Sequence, residues 1–185
     1  MKFILFRHGQ TDSNIHNIIQ GAGVNTPLNV TGIAQAKALA EKVPQLGIDK
    51  IYSSTLTRAI QTATLSAATC GLAVEPLDGL EEFHYGDAEG MSLQDAYARY
   101  GQKAIDLLTD WHNPERVNFA LPNGESVKLC QQRVLQTLQK IKADNAASCR
   151  CIGIFTHGAV MSYMYELFFD EFKDFANCTY FSVEL

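Results

Sequence analysis

Residues 2–9 read KFILFRHG, and residues 151–158 read CIGIFTHG. Each is a short apolar run with no polar interruption, the pattern of a strand buried on both faces in a parallel sheet. Each run then stops on the same layout: phenylalanine, one variable residue, histidine, glycine. The two runs therefore predict two strands that each deliver a histidine, His8 and His157, at their carboxyl ends. Ile51-Tyr52-Ser53 has the same apolar character and predicts a third strand.

Helical patterns separate these runs. In TGIAQAKALAEKV, Thr31 can act as N-cap, with Ile33, Ala36, Leu39, Ala40 and Val43 at helical spacing up to Pro44. Thr55 to Cys70 is alanine-rich and is closed by Gly71. Leu72–Val74 predicts another strand, and an irregular stretch, EPLDGLEEFHYGDAEGM, follows it. Ser92-Leu93-Gln94-Asp95 has the form of a capping box opening a helix toward Tyr100, with a shorter helix at Lys103–Thr109. Asn113–Gly124 carries loop residues. Glu125–Lys142 reads as a long amphipathic helix with Val127, Cys130, Val134, Leu138 and Ile141 on its apolar stripe. A helix at Ala159–Phe169 and a closing strand at Thr179–Leu185 complete the pattern.

Strands alternating with helices predict an α/β fold: a single-domain three-layer sandwich, its mostly parallel sheet covered by helices on both faces. The 185 residues suit one domain, which at this length buries roughly 70% of its unfolded surface. With 46% hydrophobic and 19% charged residues, composition excludes a disordered or fibrous chain. A net charge of -5 argues against nucleic acid as a partner, since polyanion binding rests on clustered lysines and arginines. The apolar run after Lys2 is too short for a signal peptide, and nothing predicts a membrane span, so the expected location is the cytoplasm. Five cysteines, odd in number and irregularly spaced, predict reduced thiols. Cys149-Arg150-Cys151 lacks the spacing and the second pair of a metal or redox motif.

In open α/β sheets ligands bind beyond the carboxyl ends of the strands, where both histidines fall. Gly9 permits a turn and close approach by a ligand, and Arg7 offers a planar fork of donors suited to phosphate or carboxylate. Arg58 falls in the first turn after the Ile51 strand, so it can point back over the same edge. Two histidines and Arg7 there predict a compact cationic pocket on an acidic protein, over which Arg58 can also point.

These residues carry a resemblance. Arg7-His8-Gly9-Gln10-Thr11 with Asn14, Ser53 to Ala59 with Gln61-Thr62-Ala63, Leu80-Glu81-Glu82 with Gly86 and Glu89-Gly90, and Thr156-His157-Gly158 are similar to the histidine phosphatase superfamily, which includes the cofactor-dependent phosphoglycerate mutases. The match runs in order along nearly the whole chain and implies the phosphoglycerate mutase-like fold, with residues at about 81–125 forming a cap over the site. It implies that His8 is the nucleophile that becomes phosphohistidine. Arg7, Arg58 and His157 would hold the phosphoryl oxygens, with the two arginines disfavouring protonation of His8. Asn14, Gln20 and Gly21 match positions beside the phosphoryl group. Glu82 would be the general acid, then the base for water. Glu89 reads as structural support and Glu81 as a solvated loop carboxylate. The resemblance implies no metal and no cofactor, and a small phosphorylated metabolite as partner of a monomer or homodimer.

Several positions depart from the family pattern. Gln10 replaces the common glutamate, His84-Tyr85-Gly86 is similar to the mutase branch, and Ala88 stands where many members carry tryptophan. The stretch from Met91 to Gly124 is short, with only Arg99, Lys103 and Arg116 as cations, which favours hydrolysis over mutase chemistry. Tyr97, Trp111, His112 and Phe119 are candidates for a partly apolar leaving-group pocket. The leading expectation is a metal-independent phosphomonoesterase; a phosphoglycerate mutase and a non-catalytic phosphoryl-binding module are the alternatives.

Overall fold

The computed structural model describes residues 1–109 and 112–185. Five strands, β1 (Lys2–Arg7), β2 (Lys50–Ser53), β3 (Val74–Pro76), β4 (Cys151–Thr156) and β5 (Tyr180–Glu184), form one sheet in the order β3-β2-β4-β1-β5. All neighbours are parallel except β5, which runs antiparallel to β1 at one edge. The helices are α1 (Asp12–Ile15), α2 (Val30–Leu39), α3 (Thr57–Ala67), α4 (Leu93–Tyr100), α5 (Gln102–Thr109), α6 (Val127–Asn145) and α7 (Gly158–Phe169).

The alternation of side chains along a strand explains the layers. Phe3 and Leu5 of β1, with Ile152 and Ile154 of β4, turn to one face and pack against α6 and α7 through Val134, Leu138, Ile141, Val160 and Met164. Ile4, Phe6, Ile51 and Phe155 turn to the other face, where Leu39, Val43, Ala63 and Ala67 of the α2–α3 side meet them. Phe6 and Phe155 stack at 4.6 Å across the β1–β4 pair. Helices therefore cover both faces, and the single α/β domain expected from the sequence is found. Among the described residues no helix is long and apolar enough to cross a membrane. All five cysteines are free.

Local differences have local causes. The N-cap of α2 is Asn29 rather than Thr31, because the Asn29 side chain accepts the Gly32 N–H at 2.8 Å. Ile33 is consequently exposed, and Gly32, Ala36 and Leu39 face inward. Pro44 lies inside a 3-10 turn, Val43–Leu46, where its missing N–H is harmless in the first turn. β3 starts two residues later than Leu72, set by the pairing of Val74 with Ile51. The predicted loop at Asn113–Gly124 contains a 3-10 turn, Pro114–Val117. The α6 stripe is fully buried, and the helix runs on to Asn145, whose buried amide donates to the Tyr52 hydroxyl at 3.0 Å.

Candidate active site

β1 and β4 are adjacent and in register, with Arg7 opposite Thr156. One residue further on, both strands end. The His8 N–H still donates to the Thr156 carbonyl at 3.0 Å, so His8 and His157 leave the sheet side by side, ring centroids 5.3 Å apart. β2 ends level with them, and the Ser54 hydroxyl is 2.8 Å from His157 Nε2. The segment before β5 closes the other side: Cys178 N–H donates to the Arg7 carbonyl, Asn177 to the His8 carbonyl at 2.9 Å, and Arg7 Nη1 to the Phe175 carbonyl.

His8 is almost wholly buried, and its Nδ1 is 2.7 Å from the Gly9 carbonyl. A carbonyl oxygen only accepts, so Nδ1 carries the proton and Nε2 is left as a lone pair. Burial pushes the imidazole well below its ordinary value of 6.5, with the Arg58 and Arg7 charges adding to it and the Gly9 bond opposing. The sequence ascribed this neutrality to the two arginines; burial outranks them. His157 is also held well below 6.5, first by burial and then by Arg58.

Gly9 has a different role from the one its position suggested. A Cβ there would stand 2.7 Å from the Gly32 carbonyl oxygen, so the close approach is made by the α2 backbone rather than by a ligand. The Gly9 N–H donates to Thr62 Oγ1 at 2.9 Å, which ties the turn after β1 to α3. Gly158 is the residue that makes room: a Cβ there would meet the Arg7 guanidinium at 3.1 Å.

Arg58 is completely buried. Its Nη1 donates to the Val24 carbonyl and Nη2 to the Gly21 carbonyl, both at 2.8 Å. Burial lowers its pKa to about 10 against the pull of Glu82 and Glu89, which leaves it charged at neutrality. Among the described residues, three buried donor-type nitrogens around His8 find no hydrogen-bond partner: Arg7 Nε, Arg58 Nε and His157 Nδ1. Buried polar atoms left unpaired are rare and costly.

Residues 11–24 form the facing wall. Thr11 caps α1, and Asn14 Oδ1 accepts from the Thr11 N–H and hydroxyl. Gln20 Oε1 accepts from the Thr26 hydroxyl at 2.6 Å and lies 3.2 Å from the Thr11 hydroxyl, whose one proton serves either Asn14 or Gln20. Both amide oxygens are thereby occupied, which leaves their NH2 groups as the free ends. Glu89 holds this wall in place: its carboxylate accepts the Ala22, Gly23 and Tyr85 N–H groups at 2.7–3.1 Å.

Glu82 sits at the start of α7, where His157 provides no side-chain cap. Its Oε1 accepts the Phe83 and Val160 N–H groups at 3.0 and 3.2 Å, and Oε2 the Ala159 N–H at 3.4 Å. A carboxylate with about four lone-pair positions keeps one open on Oε2. The loop is fixed from behind by Arg133 of α6. Its Nη1 donates to the Gly79 and Glu81 carbonyls at 3.2 and 3.1 Å, and its Nη2 pairs with Glu125 Oε1 at 2.6 Å. Glu81 is bonded rather than solvated, accepting from Thr55 Oγ1 and the Gly79 N–H.

A cleft of about 190 Å³ opens here, its polar lining Arg7, His8, Asn14, Gln20, Gly21 and Glu82. Arg58 and His157 are buried and are not among its lining residues. The rest of the wall is Ile18, Ile19, Tyr85, Leu93, Ile105 and Leu108. This replaces the leaving-group set expected from the sequence: Tyr97 and Phe119 pack against the core, His112 is exposed, and Trp111 lies outside the described residues. His84 is exposed, and its backbone bonds to Glu125. Sequence reasoning also passed over Arg133 and the Ile18-Ile19 pair. An arginine beside an otherwise apolar helical stripe, and two isoleucines in a loop, were the available signals. Among the described residues no three His, Cys, Asp or Glu side chains form a group able to hold a metal ion.

The model of the histidine phosphatase superfamily (branch 1) matches residues 3–183. A probable phosphatase of Schizosaccharomyces pombe is 31% identical over 172 residues, covering 92% of this chain and 75% of that protein. A 2,3-bisphosphoglycerate-dependent phosphoglycerate mutase of a Methylobacterium species is 35% identical over 137 residues, covering 71% of this chain and 63% of that one. Among solved structures, a mycobacterial glucosyl-3-phosphoglycerate phosphatase in complex with VO3 superposes with a TM-score of 0.85 at 25% identity, covering 99% of this chain and 90% of that one.

Proposed function

The chain belongs to the histidine phosphatase superfamily, and from that premise we propose that it hydrolyses a small phosphomonoester through a phosphohistidine on His8. The observation that supports this most is a neutral histidine with Nε2 unbonded, surrounded by three buried nitrogens without partners on Arg7, Arg58 and His157. A phosphoryl group has three peripheral oxygens to offer such donors, and their charge grows in the transition state.

In the first step His8 Nε2 attacks phosphorus as the ester P–O bond breaks, and the leaving oxygen takes a proton from the Glu82 carboxyl group. In the second, water attacks phosphorus and gives its proton to Glu82, the P–N bond breaks, and inorganic phosphate leaves with His8 neutral again. Asn14 and Gln20 donate through their free NH2 groups, and residues at about 81–125 act as a cap. The bond of Ile19 N–H to the Met91 carbonyl and of Leu93 N–H to the Asn17 carbonyl, at 2.9 and 3.0 Å, support that cap by tethering it to the phosphate wall. No step requires a metal ion or cofactor.

Rapid alkaline denaturation during turnover, followed by mass spectrometry, should find one phosphoryl adduct on His8. Full activity of His8→Ala with no adduct in the parent would overturn the mechanism. The mutase alternative is tested by following 3-phosphoglycerate isomerisation with added bisphosphoglycerate. Isomerisation faster than phosphate release would replace the hydrolase reading.

A further inference from the structure

The described lining of the cleft is of two kinds. Among the described residues, Arg7 and His8 are the cationic or ionisable basic side chains that line it, and both belong to the phosphoryl group of residues. The other described lining is Ile18, Ile19, Leu93, Ile105, Leu108 and the Tyr85 ring. Ile105 and Leu108 are buried, and burial pushes the Tyr85 phenol up, so it stays neutral.

None of the cations of the neighbouring stretch is among the described lining residues of the cleft. Arg99 and Lys103 are exposed on α4 and α5, and Arg116 is buried in a pair with Glu166. A second anionic group on the substrate would therefore meet an aliphatic wall, with Glu82 as the acidic side chain among the described lining residues. Burying a charge without a partner is unfavourable, and the Glu82 carboxylate formed during the first step would repel it further. An apolar leaving group meets the opposite situation, since each contact with the wall removes apolar surface from water. At about 190 Å³ the cleft is also smaller than the roughly 300 Å³ at which drug-sized pockets begin.

We infer that this cleft selects small phosphomonoesters of uncharged, largely apolar alcohols, aryl or branched alkyl, over esters whose alcohol portion carries a second anionic group. The inference rests on the phosphatase reading above and adds the substrate class.

The test compares phenyl phosphate with 4-carboxyphenyl phosphate at constant ionic strength. The two differ by one carboxylate, and the carboxyphenol is the better leaving group, so preference for the phenyl ester has to come from the pocket. The wild-type protein should favour phenyl phosphate at least tenfold in kcat/KM. Ile18→Lys and Leu93→Lys each place an ammonium on the partly exposed part of the wall, and each should cut that ratio at least fivefold. Turnover of both esters with a ratio near one, or a ratio unmoved in both variants, overturns the substrate class while leaving the phosphatase reading intact. Turnover of neither ester, with no adduct on His8, overturns both.

Discussion

His8 and His157 are both buried and both held neutral, and the fold should lose stability for that reason between pH 7.5 and pH 5.5. In the unfolded chain each imidazole titrates at its ordinary value of 6.5, while in the native state each lies well below it. Beneath pH 6.5 the unfolded chain binds protons that the native state refuses, so stability falls as the pH is lowered. The full contribution is present above 6.5 and is lost toward the folded-state values. At pH 5.5, one unit below the unfolded value, each such histidine costs on the order of 1 kcal/mol and the pair about twice that. That is a large part of the roughly 5–15 kcal/mol of a typical domain. Urea unfolding followed by circular dichroism at pH 7.5, 6.5 and 5.5 measures it. Phosphate must be absent from the buffers, because a ligand of the native state would add stability of its own. His8→Gln and His157→Gln should each remove about half of the pH slope, whatever they do to stability itself. A wild-type unfolding free energy unchanged within about 0.5 kcal/mol from pH 7.5 to 5.5, or a slope that survives in the double variant, would refute the assignment of two neutral buried imidazoles.

Glu82→Gln keeps one oxygen, which can serve the Phe83 and Val160 N–H groups, loses the acceptor of the Ala159 N–H, and cannot transfer a proton. Steady-state kcat on an alkyl phosphate should fall by about 10²–10⁴-fold, and by much less on an aryl ester with a good leaving group. Arg133→Met should free the loop behind Glu82, lowering kcat about tenfold with KM nearly unchanged and costing about 1–3 kcal/mol in urea unfolding, since Glu125 and the loop carbonyls lose their donor. Gly9→Ala forces a Cβ toward the Gly32 carbonyl at 2.7 Å. Two backbone segments must separate, and the thermal midpoint should drop in line with a loss of about 1–3 kcal/mol.

The strands were legible because a strand buried on both faces has no polar alternative: Phe3 to Phe6 and Cys151 to Phe155 leave no other reading, and each announces the residue at its end. The catalytic candidates His8, His157, Arg7, Arg58 and Glu82 could be named from the motifs for the same reason, since the signal is local. What failed was the assignment of surroundings. Tyr97, Phe119 and His112 looked like pocket residues by composition, yet the cleft is walled by Ile18, Ile19, Leu93, Ile105 and Leu108. Gly9 looked like room for a ligand, and the room is filled by Gly32. Glu81 looked solvated, and Thr55 and Gly79 bond it.

By itself, then, the order of residues determined the alternation of strands and helices, because hydrophobic period is written within a few residues, and it determined which side chains stand at strand ends. Only the tertiary structure decided that β4 lies beside β1 in the register that sets His8 against His157, since nothing within either run encodes its neighbour. It also decided that His8 is neutral chiefly through burial, and that much of the cleft's described lining is aliphatic. Burial and lining depend on chain segments more than a hundred residues apart, and proximity of that kind exists only once the sheet has closed.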